Sequence, residues 1–109
     1  VRALIEQQWT ATTTRFLQIS GLSYTWDNAL PVGSRVTEVR KNGSAIDPAA
    51  TYTVTCNNFL AGGGDGFTVF TQGTNNVGGA VDLDALIAYI EGLSQPFTAV
   101  LQDRIVRLH

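Results

Sequence analysis

The sequence has few of the residues from which catalytic and metal sites are most often built. Its 109 residues include one cysteine, Cys56, and one histidine, His109, which is the last residue. A single cysteine cannot form a disulfide within the chain, so we interpret Cys56 as a small apolar residue of the core. A single terminal histidine excludes a histidine-based triad or an imidazole metal site made by this chain alone. The residues therefore indicate no catalytic and no metal site here.

Charge is also scarce, and it is not clustered. Lysine and arginine number 7 and aspartate and glutamate 9, which gives a net charge of -2. Nucleic acids and anionic membranes are bound by clustered basic side chains, so we expect neither as a partner. No apolar run approaches the roughly 18 residues of a membrane span. The hydrophobic fraction of 44% is that of a folded protein, and we predict a single domain over residues 1–109.

The sequence lacks methionine altogether and begins on Val1. Val1, Leu4 and Ile5 already follow helical spacing, which is typical of a chain cut within an element. We therefore expect a fragment of a domain. The absence of a leader in it says nothing about localisation.

Two segments have the apolar spacing of amphipathic helices. The first is Val1–Trp9, with Glu6 and Gln7 on the outward face. The second is 82–91, where Asp82 has the position of an N-cap and Gly92 follows the last turn.

Short runs with alternating or continuous apolar residues predict the strands. They cover 15–19, 22–26, 35–41, 52–56 and 104–108, the first two as an antiparallel pair. Asn42-Gly43 predicts a type I′ hairpin turn that reverses the chain between Val39 and Ile46. Together the elements predict an α+β fold with a mixed, mostly antiparallel sheet and two helices packed on it.

The most informative stretch is Asn57–Phe67, which follows the predicted strand 52–56. Four glycines surround the single carboxylate of Asp65, a composition that indicates a shaped turn rather than a linker. A phosphate-binding loop is excluded because Gly66 is followed by Phe67 instead of Lys, and the same residue breaks the dinucleotide fingerprint. The turn would present the ring of Phe67.

Each polar or aromatic residue of this stretch has a structural and a functional interpretation. Asp65 is expected to bond neighbouring backbone N–H groups, with a role as acid or ligand as the alternative. Asn57 and Asn58 are expected to anchor the loop rather than act as catalysts. Phe70 should lie in the core, whereas Phe67 is either a core residue or exposed for stacking.

An ordered set of segments resembles the C-terminal domain of 5′-nucleotidases. It comprises Phe16–Tyr24, Gly33–Val36, Tyr52–Val54 and above all Asn58–Phe67, with the sequence Asn-Phe-Leu-Ala-Gly-Gly-Gly-Asp-Gly-Phe. The resemblance runs from Leu4 to about Ile105. It implies a domain that binds the nucleoside, joined to an N-terminal metallophosphoesterase domain that lies outside this chain and holds two divalent metal ions.

In that family the aromatic residue of the motif stacks on the base opposite a second aromatic. Only the first of these has a counterpart here, which is Phe67. The resemblance thus implies substrate-binding residues Phe67, Asn57, Asn58, Gly64, Asp65 and Gly66, and no catalytic residue. Some relatives have an acidic residue near the ribose shortly after the motif, but Thr71-Gln72-Gly73 has no carboxylate.

The resemblance implies one half of a base-binding site in a secreted, periplasmic or cell-wall phosphohydrolase. The partners would be a nucleotide or nucleoside and the metallophosphoesterase domain, and the fragment alone would be inactive. The alternative is a non-catalytic interaction or oligomerisation module that keeps the fold.

Overall fold

The computed structural model describes residues 1–109, which divide into two compact units. Unit 1 comprises Val1–Gln72 and Asp103–His109, and unit 2 comprises Gly73–Gln102. Unit 1 contains helices α1 (Arg2–Glu6) and α2 (Asn58–Ala61) and strands β1 (Ser23–Asp27), β2 (Val36–Lys41), β3 (Ser44–Ala45) and β4 (Ile105–Leu108). Unit 2 contains helix α3 (Asp82–Glu91). None of these helices has the length and apolar character needed to cross a membrane.

The four strands form one mixed sheet in the order β3-β2-β1-β4. The β1–β2 and β2–β3 pairs are antiparallel, whereas β4 runs parallel to β1. The predicted α+β class with a mixed, mostly antiparallel sheet is confirmed.

A β-bulge explains why the two valines of β2 are three residues apart. Tyr24 lies opposite Val39 and Trp26 opposite Val36, with an irregular register between Thr25 and Trp26. The extra residue lets Val36 and Val39 face the same side of the sheet despite their odd spacing. Both valines are buried together with Tyr24 and Trp26.

The hairpin predicted at Asn42-Gly43 is confirmed. Asn42 has φ 52° and Gly43 has φ 79°, the pair of positive values that a type I′ turn requires. The Ile46 N–H donates to the Val39 carbonyl at 3.0 Å, which closes the reversal.

Helix α1 packs on the sheet through its apolar side. Ile5 and Trp9 belong to the same buried cluster as the strand residues, and the rings of Trp9 and Trp26 lie 4.7 Å apart between centroids. The predicted helix Val1–Trp9 is shorter in the structure, but its inward residues are as expected. Glu6 is not on an outward face, because its carboxylate accepts hydrogen bonds from the N–H groups of Arg35 and Val36 at 3.1 and 2.7 Å.

Helix α3 has the predicted bounds, 82–91. Val81 rather than Asp82 occupies the N-cap position, and the Asp82 carboxylate accepts from the Leu83 N–H at 2.8 Å. The expectation of an Asp82 N-cap is therefore wrong by one residue.

Two predicted strands are absent. Residues 15–19 form no strand because both edges of β1 are already paired, by β2 and by β4. Gln8 supplies partners to this segment instead, with its carbonyl bound to the Arg15 N–H and its Oε1 bound to the Leu17 N–H, each at 2.8 Å. Residues 52–56 are also not a strand, since no strand edge pairs with them.

Candidate functional site

The glycine-rich stretch opens with a short helix rather than with an irregular loop. Asn57 is extended, with φ -72° and ψ 164°, and its side chain caps α2 by accepting from the Leu60 N–H at 2.9 Å. Asn58 is the first helical residue and is exposed. In the structure Asn57 therefore acts as the anchor that the sequence predicts.

A tight 3-10 turn, Gly64–Gly66, follows α2. It is built from positive φ angles at Gly63 (85°), Asp65 (55°) and Gly66 (82°). Gly64 is required by close approach, because a Cβ there would lie 2.6 Å from the Phe59 ring. The turn is thus shaped by backbone conformation and by one aromatic contact.

The Asp65 carboxylate does not hold this turn, contrary to expectation. It lies 3.8 Å from the Arg15 Nε, and both side chains are about half exposed, at 51% each. None of the hydrogen bonds in the chain runs from a loop N–H to this carboxylate. The left-handed backbone of Asp65 contributes to the turn, while its side chain faces another segment.

Of the two aromatic residues after the turn, Phe67 is the more deeply buried, and Phe70 is less buried than expected. Phe67 is buried, with 2% of its surface exposed, whereas Phe70 is only partly buried. Their ring centroids are 6.5 Å apart with a 64° angle between planes. Of the two interpretations of Phe67, burial is the one that this structure contains, and neither face of the ring is free for a base.

Two adjacent glutamines at the end of α1 connect the segments around this site. Gln7 donates from Nε2 to the Thr68 Oγ1 at 2.7 Å and accepts from the Val69 N–H at 3.0 Å. Gln8, only 1% exposed, donates to the Tyr24 hydroxyl at 2.8 Å in addition to its bond with Leu17. Sequence reasoning missed both residues, since polar side chains at a helix end are most often solvated.

A cleft of about 270 Å³ lies beside the turn. Three segments line it: the end of α1 with the residues that follow it, the connection between β1 and β2, and the glycine-rich motif. The lining residues are Glu6, Gln7, Trp9, Thr10, Val32, Gly33 and Gly66. Its glutamate and glutamine side chains are already bonded to backbone groups or to Thr68.

The chain does not assemble the donors for a metal ion. No three His, Cys, Asp or Glu side chains lie together. Cys56 is half-buried and unpaired, and the His109 Nδ1 lies 3.1 Å from the Asp27 Oδ1. The pKa of Asp27 is held below its usual range, mainly by the hydrogen bond from the Ala29 N–H and to a lesser extent by His109. The residues of this chain do not form a site for a pair of metal ions. The resemblance implies such a pair in a different domain.

Comparison with known proteins assigns the chain to a family. The model of the family described as 5′-nucleotidase, C-terminal domain, matches residues 1–72, which include the whole Asn58–Phe67 motif. The chain belongs to the 5′-nucleotidase C-terminal domain family. The resemblance drawn from the motif segments is therefore confirmed, and the chain is a nucleotidase-related domain.

Similar proteins include one solved structure and several bacterial sequences. The crystal structure of a 5′-nucleotidase precursor from Thermus thermophilus is 39% identical with a TM-score of 0.82, covering 97% of this chain and 22% of that one. Endonuclease YhcR of Bacillus subtilis is 37% identical over 89 residues, covering 80% of this chain and 7% of that protein. Cell wall protein Lmo0130 of Listeria monocytogenes is 38% identical over 93 residues, covering 80% of this chain and 12% of that protein. The chain thus spans a small part of the length of each.

Proposed function

We propose that this chain is the nucleotide-recognising part of a metal-dependent 5′-nucleotidase-like phosphohydrolase. The observation that carries the proposal is the Asn58–Phe67 motif, folded into a defined turn in a chain of the 5′-nucleotidase C-terminal domain family. Hydrolysis of the phosphate ester would take place in a separate metallophosphoesterase domain with two divalent ions, as the resemblance to the family implies.

The proposed base-binding residue is Phe67, with the turn from Gly64 to Gly66 and the anchors Asn57 and Asn58 setting its place. Stacking on a base is worth on the order of 1–3 kcal/mol per base. It needs a free ring face, and Phe67 has none in this arrangement because it is 2% exposed. The proposal therefore includes a nucleoside-bound arrangement in which one face of the ring is uncovered. Without ligand, Phe67 anchors the loop.

A pair of matched substitutions tests this role. Phe67→Leu keeps apolar bulk but removes the aromatic face, and Phe70→Leu does the same at a partly buried ring 6.5 Å away. If Phe67 stacks on the base, Phe67→Leu should weaken adenosine binding by about 5- to 150-fold, the equivalent of 1–3 kcal/mol, and Phe70→Leu should have little effect. Calorimetric titration with adenosine measures both. Equal and small effects would make Phe67 a core residue only.

The chain by itself is proposed to be inactive. Phosphate release from AMP by the purified 109 residues with added Mg²⁺, Mn²⁺ or Zn²⁺ should stay at background. Release that chelation with EDTA abolishes would refute this part of the proposal. A chain that shows no adenosine response and a mass that rises with concentration would instead be an interaction module.

We further propose that the protein containing this domain works outside the cytoplasm, secreted, in the periplasm or at the cell wall. The support is the relative from Listeria monocytogenes, which is named a cell wall protein. Fractionation of cells that express the gene would test it, and recovery of the protein only in the cytosol would refute it.

A further inference from the structure

The segment that carries the motif is joined to the rest of unit 1 by very few polar contacts. The hydrogen bonds within residues 57–72 run along the segment itself, for example from the Phe67 N–H to the Gly64 carbonyl at 3.2 Å and from the Phe70 N–H to the Phe67 carbonyl at 3.3 Å. Only two hydrogen bonds leave the segment, and both go to the side chain of Gln7. The other polar link is the exposed Arg15–Asp65 pair at 3.8 Å.

Gln7 is well placed to position this segment. It is the C-cap residue of α1, with φ -67° and ψ -9°, and its own N–H donates to the Leu4 carbonyl at 3.1 Å. Its amide uses both functions across more than 60 residues of sequence, the donor to Thr68 and the acceptor to Val69. A planar amide held at both ends allows little rotation. Thr68 and Val69 directly follow Phe67, so one bond holds a side chain and the other holds the backbone within two residues of that ring.

We propose that Gln7 is the positioning residue of the nucleoside-binding motif, and this inference rests on the proposed function. Gln7 would not contact the base itself. It fixes the Thr68 side chain and the Val69 backbone against α1 and so determines where Phe67 stands when a nucleoside binds. The half-exposed ion pair between Arg15 and Asp65 is too weakly held to do the same.

Three variants separate positioning from general stability. Gln7→Leu removes both hydrogen bonds and keeps the bulk, whereas Gln7→Glu restores acceptors for the Val69 N–H and the Thr68 hydroxyl. Gln18→Leu is the control, because Gln18 is exposed and its side chain makes no hydrogen bond in the structure. Each variant is tested for exchange of the Val69 amide hydrogen and for adenosine affinity by calorimetry.

The expected results are specific to Gln7. Gln7→Leu should speed exchange at Val69 by about tenfold or more and weaken adenosine binding by a similar factor, Gln7→Glu should recover most of both, and Gln18→Leu should change neither. Exchange at Ile46, whose N–H is bonded in the hairpin, should stay slow in all of them.

The two measurements also separate this inference from the proposed function. If Gln7→Leu leaves Val69 exchange unchanged, the hydrogen bonds of Gln7 do not hold the segment and the inference is refuted whether or not adenosine binds. If exchange rises and the affinity of the variant equals that of the wild type, Gln7 has a structural role only, which also overturns the inference. If the wild-type protein that contains this domain together with the other half of the base-binding site binds no adenosine, the proposed function fails and takes the positioning role with it.

Discussion

At the scale of single residues, the hydrogen bond between Gln8 and Tyr24 is a side chain–side chain contact that is buried in the core. The two side chains are 1% and 2% exposed, and the Gln8 Nε2 donates to the Tyr24 hydroxyl at 2.8 Å. The other end of the same amide holds the Leu17 N–H. A buried donor that loses its acceptor costs its full desolvation penalty, so this contact is expensive to break from one side.

Replacing Tyr24 with phenylalanine tests that cost at neutral pH. Tyr24→Phe keeps the ring and leaves the Gln8 amide without its acceptor, and we expect a loss of about 1–3 kcal/mol in the free energy of unfolding. Tyr89→Phe, at an exposed tyrosine of α3 (68%), should change it by less than about 0.5 kcal/mol. Urea unfolding followed by tryptophan fluorescence measures both. A loss no larger than that of the control would contradict the prediction.

The same tyrosine predicts a difference at alkaline pH. Burial raises the pKa of Tyr24 above its ordinary value of 10.0, although the hydrogen bond from Gln8 lowers it somewhat. The unfolded chain therefore ionises first, so the stability that comes from the neutral phenol is complete below pH 10 and is lost as the pH rises through the folded-state pKa. Tyr24→Phe lacks this loss, so the gap in stability between wild type and variant should be unchanged below pH 10 and narrow as the pH rises above it. A constant gap would show that Tyr24 does not contribute to the alkaline loss.

Gly64 gives a third prediction at this scale. A Cβ there would stand 2.6 Å from the Phe59 ring, which is 58% exposed, so Gly64→Ala must displace that ring. We expect a loss of about 1–3 kcal/mol that falls by at least half when Phe59 is already alanine, because the obstacle is then gone. Gly78→Ala, where a Cβ would meet open space, is the control. An equal loss in both backgrounds would assign the effect to the backbone and not to the ring.

At the scale of elements, Glu6 joins helix α1 to the beginning of β2. Its carboxylate accepts hydrogen bonds from the N–H groups of Arg35 and Val36 at 3.1 and 2.7 Å. Hydrogen bonds to a charged acceptor are stronger than those between neutral groups. Glu6→Ala should lower the free energy of unfolding by about 1–3 kcal/mol, and Glu6→Gln, which keeps one acceptor, by less. Glu91→Ala on the exposed side of α3 should have almost no effect. Urea denaturation measures the free energy of unfolding of each variant. If Glu6→Ala lowers it as little as Glu91→Ala does, water replaces Glu6 as the acceptor for the N–H groups of Arg35 and Val36.

The elements that the sequence predicts well are those with a local cause. Positive φ is available to Asn42 and Gly43, so the hairpin follows from two residues, and the 3.6-residue spacing of 82–91 sets the bounds of α3. Residues 15–19 and 52–56 have strand-like patterns and are not strands, because a strand must also pair with a neighbour. The predicted neighbour of 15–19 is β1, which is paired by β2 and by β4 instead, and its parallel pairing with β4 is a long-range contact that no local pattern encodes.

At the scale of the whole molecule, the turn of the motif was predictable and its contacts with the rest of the chain were not. The composition of Asn57–Phe67 indicates a shaped turn, and the structure contains one. The hydrogen bonds of Gln7 join segments about 60 residues apart, and their only signal in the sequence is a pair of adjacent glutamines. The order of the motif segments identified the family even though local reasoning left Phe67 open between the core and an exposed position and placed Phe70, which is only partly buried, in the core.

The basic side chains of the molecule are few, and each contacts another group of the same chain. Each arginine contacts an acceptor or a carboxylate of the chain, and Lys41 lies over the Tyr52 ring at 5.3 Å. The arginine partners are the Val36 carbonyl for Arg2, Asp65 for Arg15, the Leu30 carbonyl for Arg35, Glu38 for Arg40, the Ile19 carbonyl for Arg104 and the His109 carbonyl for Arg107. The net charge of -2 is therefore not offset by a basic surface patch.

This distribution of charge predicts that the chain does not bind DNA, although one of its relatives is named an endonuclease. Affinity for DNA comes mainly from phosphates neutralised by lysine and arginine, and it falls steeply with salt. We expect the fluorescence anisotropy of a labelled 30-base-pair duplex to stay unchanged with up to about 100 μM chain at 50 mM salt. A basic DNA-binding domain is the positive control. A Kd below about 10 μM that weakens strongly between 50 and 200 mM salt would contradict the prediction, since it would require several free cations. A cooperative urea unfolding transition of the same preparation would show that the chain is folded.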